Sequence, residues 1–343
     1  MRRVGAKYHP LQDSDAGLPS VPELTEAPIG SPQLVPAPQW ARPGMPFWGA
    51  YRWTLAASSL AHAASGAAAT ALTASGGVPG TWSVRLCAPY ADWASTGNAT
   101  APFVRTVVYK HVGDARPMAL VAASFYITAA CQAPAAIWFA WYQRALGRGL
   151  QPLRWLDYAA STAVMLMAVA MLVGVDDFWA LLLLVGTTWS VAAFGLLQEQ
   201  ALFMLRTLQS RGDCPDFGVM SIADGSWAAY MAAHLCSWVP FSLAWAVLAG
   251  MFQWSLNRLS GMPDTLKAVP LVQLVLFVAF GVNQYYGTSS SLFAQGPGWR
   301  WTYMHSEVTF TALSVLTKSA LAWMLYAGLG QRGGFGVDVI PQC

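Results

Sequence analysis

Seven stretches of the chain are apolar almost all round: Phe47–Leu72, Met118–Ala145, Leu153–Val173, Trp179–Leu205, Trp227–Phe252, Val269–Tyr286 and Val308–Leu329. A soluble helix keeps one polar face, whereas a helix in lipid has no need of one. Each stretch reaches or nears the ~20 residues needed to cross the hydrocarbon core. The pattern predicts an all-α membrane protein, a seven-transmembrane-helix bundle over residues 46–330. The first stretch is crowded with small residues, from Ala56 and Ser58 to Ser65 and Gly66, the composition of a helix that packs closely against a neighbour.

The pattern fails in three places. Residues 1–45 hold eight prolines and no apolar segment, which predicts a disordered, Pro-rich tail rather than a secretory signal. Residues 331–343 form a short C-terminal tail. Between the first two spans lies the one long loop, residues 76–116. Within it Trp82, Val84 and Leu86 alternate with Ser83 and Arg85, and Phe103–Tyr109 is rich in β-branched and aromatic residues. Two such runs around Pro, Gly and Asn predict a β-hairpin.

Composition agrees: 55% of residues are apolar and 10% charged, against ~25% charged in a soluble domain. A net charge of +3 with no basic run gives no reason to expect a nucleic-acid partner. The five cysteines are too few and scattered for a disulfide scaffold or a zinc site. No metal, nucleophile–base or phosphate-binding motif points to an enzyme. Basic residues number eleven in the N-terminal tail and even loops and seven in the odd loops and C-terminus. The positive-inside rule therefore puts the N-terminus in the cytosol, with loop 1 and the C-terminus outside. The acidic third loop (Asp176, Asp177) and the sequon Asn98-Ala99-Thr100 in loop 1 agree with this orientation.

Against this apolar background one residue stands out. Lys318 lies ten residues into the seventh stretch and is the only lysine in a span. A charged lysine at mid-membrane costs roughly 2.5–3.5 kcal/mol on insertion scales, so it must be neutral, paired or modified. A desolvated amine is a nucleophile toward an aldehyde, and Schiff-base formation with retinal is one use of it; bonding to carbonyls inside the bundle is the structural alternative. A charged Schiff base needs a counterion. Asp157, in Arg154-Trp155-Leu156-Asp157-Tyr158, is the leading candidate for it, and pairing of Asp157 with Arg154 is the competing reading. Ser314, four residues before Lys318, falls on the same helix face. Glu199 and Glu307 are the other acids in or beside spans, expected on the cytosolic side. His62 and His234 are intramembrane, either as packing residues or in a polar pocket. Trp238, Phe277 and Phe280, among the many aromatics of the last three spans, can wall a flat polyene.

Arg154–Tyr158 resembles the third-helix Arg-Trp-x-Glu-Tyr motif of the heliorhodopsins. Leu172–Leu181 with Phe194–Glu199 is similar to their third loop and fourth helix, Trp238-Val239-Pro240-Phe241 to their fifth helix, and Asn283-Gln284-Tyr285 to the end of their sixth. Ser314-Val315-Leu316-Thr317-Lys318 matches their Ser-x-x-x-Lys seventh helix, and the likeness runs from about residue 47 to 329. This resemblance implies a light-absorbing, inverted-topology retinal protein that forms homodimers and carries an extracellular hairpin. Lys318 would bind all-trans retinal, Asp157 would be counterion, Ser314 would bond near the Schiff base, and His62 would belong to an internal polar pocket. Two positions depart from the family: the counterion is usually Glu, and Gln132 stands where a second-helix histidine is expected. The resemblance leads to a slow photoreceptor with a signalling partner still to be named. Light-gated passage of protons or other ions is the alternative.

Overall fold

The computed structural model describes residues 46–75, 82–95, 103–147, 150–210, 226–258, 263–293 and 298–330, all within one compact unit. The expected Pro-rich tail, the sequon at Asn98 and the C-terminal tail lie outside the described residues. The elements are α1 (Pro46–Ala74), β1 (Val84–Ser95), β2 (Phe103–Ala115), α2 (Pro117–Ile137), α3 (Phe139–Gly147), α4 (Pro152–Leu172), α5 (Phe178–Ser210), α6 (Ser226–Arg258), α7 (Asp264–Phe293) and α8 (Gly298–Gly330).

Among the described residues six helices are long and apolar enough to cross a membrane: α2, α4, α5, α6, α7 and α8. Helix α1 has the length, with 29 residues, but its alanines, serines and threonines make it less apolar than those six. Its small residues serve the close packing their composition suggested. The Ser59 hydroxyl donates to the Ala129 carbonyl of α2 at 3.1 Å, Arg52 Nε to that of Ala136 at 3.0 Å, and the Tyr126 ring lies over Gly66. The second apolar stretch is not one helix. Helix α2 carries Pro134 through to Ile137, and the chain breaks at Trp138, whose N–H still bonds the Pro134 carbonyl, into α2 and α3.

Helix α4 is the most buried of the spanning helices and forms the centre of the bundle. One core cluster joins it to α2, α7 and α8 through Phe125, Met165, Val169, Val269, Leu321 and Leu325. A second joins it to α5 and α6 through Leu166, Leu181, Trp245 and Leu248. A third, of Trp48, Tyr51, Phe139, Tyr142 and Tyr303, fills the other end between α1, α3 and α8. The outward faces of α5, α6 and α7 show Leu183, Leu243, Val247, Leu271 and Val275, an apolar girdle suited to lipid. Helices α7 and α8 are latched by a reciprocal pair, Asn283 Nδ2 to the Ser306 carbonyl and Ser306 Oγ to that of Asn283.

The strands β1 and β2 pair antiparallel from Val84↔Ala115 to Ser95↔Phe103, with a bulge at Leu86/Cys87. They run further than the two apolar runs indicate, and β1 includes Pro89; with two strands every position is an edge, so a proline is tolerated. The sheet is tied to the helical bundle at its base: the Cys87 N–H donates to the Asp176 carbonyl, and Leu86 enters the second core cluster. Cys87 is disulfide-bonded while Cys131 and Cys236 are free, a covalent tie that spacing alone did not reveal.

Gly195 on α5 is the tightest close approach, because a Cβ there would fall inside the indole of Trp155 on α4. Gly195→Val is expected to destabilise the protein by at least roughly 1–3 kcal/mol, the usual cost of overpacking. Gly186→Ala, where a Cβ meets nothing nearby, is expected to be neutral or slightly stabilising. Thermal melts of the two variants in one detergent check this.

Candidate functional site

Lys318 sits fifteen residues after Tyr303 and eleven before Leu329, near the middle of the spanning part of α8. It is 3% exposed, so its amine is cut off from water and must find partners inside the bundle. Its Nζ donates to Ser314 Oγ at 3.0 Å, the i, i−4 contact expected from helix geometry. Asp157 is also buried and close enough to act electrostatically on Lys318. The carboxylate does not bond the amine directly. Thr128 on α2 donates its hydroxyl to Asp157 Oδ1 at 2.5 Å instead. Asp157 lies at the entrance to a π-helical turn, Tyr158–Thr162, inside α4. The extra residue in that turn shifts the faces on either side of it, a device frequent at functional sites.

His62 of α1 is buried on the same polar patch. Its Nδ1–H donates to the Ser58 carbonyl at 2.7 Å, and the ring interacts with Lys318, Asp157 and the Ser314 backbone. His234 is not part of this group. It lies between α6 and α7, accepts the Trp238 indole N–H at 3.2 Å and packs on Tyr285.

The competing pairing of Asp157 with Arg154 does not occur. Arg154 points the other way, donating through one terminal nitrogen to Glu307 at 2.5 Å and through the other to Glu199 and, at 3.2 Å, to Gln284 Oε1. Glu199 and Glu307, expected on the cytosolic side, are paired with the same residue. They converge, almost fully buried, on one guanidinium. The Gln151 N–H supports Glu199 at 3.0 Å, Tyr142 donates to Gln151, and the guanidinium lies 4.2 Å over the Phe310 ring. A charged residue three positions from Asp157 was the available sequence signal. Its two acids, 45 and 153 residues away along the chain, could not be assigned to it without the fold.

Two cavities meet this site. The larger, about 900 Å³, is apolar and runs between α4, α5, α6 and α7. Its aromatic wall is continuous: Trp238–Phe241, Phe241–Trp245, Trp245–Phe277 and Phe277–Phe280 have ring centroids 5.3, 6.3, 5.8 and 6.3 Å apart. Phe280 then meets Tyr158 and Phe310. Gly281 leaves room for the Trp238 indole, which a Cβ would meet at 2.7 Å. The smaller cavity, about 420 Å³, is polar, with Asp157, Ser314, Gln132, Arg154 and Glu307 in its wall. Tyr158 and Phe310 separate the two. Lys318 lines neither. Its hydrogen bond to Ser314 faces it toward the polar cavity. Phe277, which packs against the cluster holding Leu321, ties its helix to the apolar one.

A family model for heliorhodopsin matches residues 51–329, most of the chain. The chain belongs to the heliorhodopsins. A comparison with curated proteins returned no match. Membership in this family makes the protein a retinal-binding, light-sensing membrane protein, and the apolar cavity fits such a ligand. Its flat aromatic walls suit a conjugated chain. In this heliorhodopsin the linear sequence assigned no role to Thr128 or Phe310, and it did not bring Arg154, Glu199 and Glu307 together.

Arg154→Met leaves two buried carboxyl groups without their cation and is expected to cost about 3–5 kcal/mol of stability. Arg144→Met, on an exposed side chain, is expected to change stability by less than about 0.5 kcal/mol. Denaturant melts in detergent compare them.

Proposed function

We propose that this heliorhodopsin is a photoreceptor that holds all-trans retinal through a Schiff base on Lys318. The observation that carries the reading is a mid-membrane lysine, buried and, among the described residues, hydrogen-bonded only to Ser314, in a bundle that contains a long aromatic cavity. Retinal supplies light absorption and a change of shape on isomerisation. The chain's own residues do the rest. Trp238, Phe277 and Phe280 wall the polyene and exclude water. Asp157 places a negative charge toward the lysine nitrogen, and Thr128 fixes that carboxylate by donating to it. Ser314 accepts from the nitrogen itself, and His62 completes the polar side. The shorter arm of Asp157 relative to the family's usual Glu leaves a gap that water can bridge.

On this reading α1 is the seventh span, the N-terminus is cytosolic, and the β1–β2 sheet and the C-terminus face outside, as the distribution of basic residues supports. The protein works as a homodimer with a slow photocycle and passes its signal to a partner through helix packing. Burial of Glu199 and Glu307 behind the aromatic cluster of Trp48, Tyr51, Phe139 and Tyr142 favours a sensor, because it closes that end to water. The polar cavity between Asp157 and Glu307 is the feature that favours the second reading, light-driven passage of protons. Voltage clamp under illumination separates them: no stationary photocurrent is expected from a sensor.

Adding all-trans retinal to the purified protein is expected to produce a visible absorption band, absent in Lys318→Ala. A band that survives in that variant removes the assignment. Asp157→Asn takes the negative charge away from the nitrogen and is expected to red-shift the band. An unshifted spectrum makes another acid the counterion.

A further inference from the structure

The Arg154 cluster has a charge problem that its geometry does not solve with side chains. Glu199 comes from α5 and Glu307 from α8, and each occupies one terminal nitrogen of the same guanidinium. The side chains of Arg154, Glu199 and Glu307 are 7, 0 and 2% exposed, so water cannot screen them. One cation facing two carboxylates carries a net charge of −1 if all three are ionised. An unbalanced buried charge costs several kcal/mol even after relaxation.

Among the described residues, the titratable and polar groups facing the cluster bring no second cation. They are Tyr51 from α1, Tyr142 from α3, Gln151 and Tyr158 beside Arg154, Gln284 from α7, and Tyr303 on α8. Asp157, the next charge in the polar cavity wall, is formally cancelled by Lys318 behind it. Among the described residues only a proton is left to supply the missing positive charge. The surroundings also provide a way in for one. Arg154 Nε is buried without a hydrogen-bond partner, and Arg154 forms part of the same cavity wall as Asp157 and Ser314. Gln132 Oε1, also unpartnered, lines that wall too. A polar space with orphaned donors and acceptors is where ordered water sits.

We propose that Glu199 and Glu307 share one proton across Arg154, making the cluster a neutral, buried proton-holding site joined to the lysine site by the polar cavity. The balance is simple. One carboxylate takes a proton from water in the cavity and becomes a carboxylic acid, no other bond changes, and the cluster goes from −1 to 0. The proton stays because the aromatic cluster around Tyr51 and Tyr142 closes the far side. The site does not depend on a chromophore and exists in the protein without retinal.

The chain has four glutamates, Glu23, Glu26, Glu199 and Glu307, so isotope labelling resolves the site directly. The full chain carrying Glu23→Gln and Glu26→Gln is grown with carboxyl-¹³C glutamate, and its infrared spectrum is recorded without retinal between pH 6 and 8. A free glutamate, with a pKa near ~4.3, is fully ionised there. One carboxylic-acid C=O band per chain that moves on labelling and persists to pH 8 is expected. Carboxylate bands alone would overturn the proposal. A second readout uses glutamine as a mimic of the protonated acid. Glu199→Gln and Glu307→Gln are each expected to keep the wild-type Tm, while the double variant loses far more than the sum of the singles. If either single variant melts clearly above the wild type, removal of one carboxylate has relieved a surplus negative charge, the two carboxylates are both ionised and the proposal fails.

Discussion

A primary amine in the middle of a hydrocarbon bundle is the constraint around which the rest of this protein is arranged. Lys318 is shut off from bulk solvent, and the polar groups nearest it answer that isolation. Ser314 takes its nitrogen, and Asp157 faces it with a charge that Thr128 holds in place. His62 is anchored to its own helix by Ser58, which keeps the ring turned toward the lysine. Four helices, α1, α2, α4 and α8, each supply one part. The polar cluster is therefore held by the same contacts that pack the bundle, and the apolar cavity on the other side of Tyr158 and Phe310 is left free of charge.

That separation has a chemical consequence. Charges are confined to one side of the Tyr158–Phe310 wall and flat aromatic surface to the other. A conjugated ligand tethered at Lys318 would have its charged end in the polar region and its apolar length among Trp238, Trp245, Phe277 and Phe280. The Arg154 cluster extends the polar side further along α8, and Arg154 and Glu307 share a cavity wall with Asp157 and Ser314.

Much of this was legible in the sequence because a membrane makes pattern a strong guide. Residues that must face lipid cannot be polar, so the apolar stretches located six spanning helices, and the small-residue face of α1 foretold its close contact with α2. The i, i+4 spacing of Ser314 and Lys318 placed two site residues together before any fold was known. The misses have a common cause. Arg154, Glu199 and Glu307 lie on three helices, and nothing local says that they meet, so the nearer Asp157 looked like an equal partner. The break at Trp138 comes four residues after Pro134, and prolines in membrane helices often only bend them. The strand pairing outran its apolar runs because backbone bonds, not side chains, carry a two-stranded sheet to Ser95 and Ala115.

The central claim is that one particular amine carries the chromophore, and only four lysines compete for it: Lys7, Lys110, Lys267 and Lys318. Borohydride reduction of the retinal-loaded protein, followed by proteolysis and mass spectrometry, identifies the bearer. The expected result is a retinyl mass on the peptide that contains Lys318 and on no other. The same mass on Lys110 or Lys267, or an unmodified Lys318 in a coloured preparation, would contradict it.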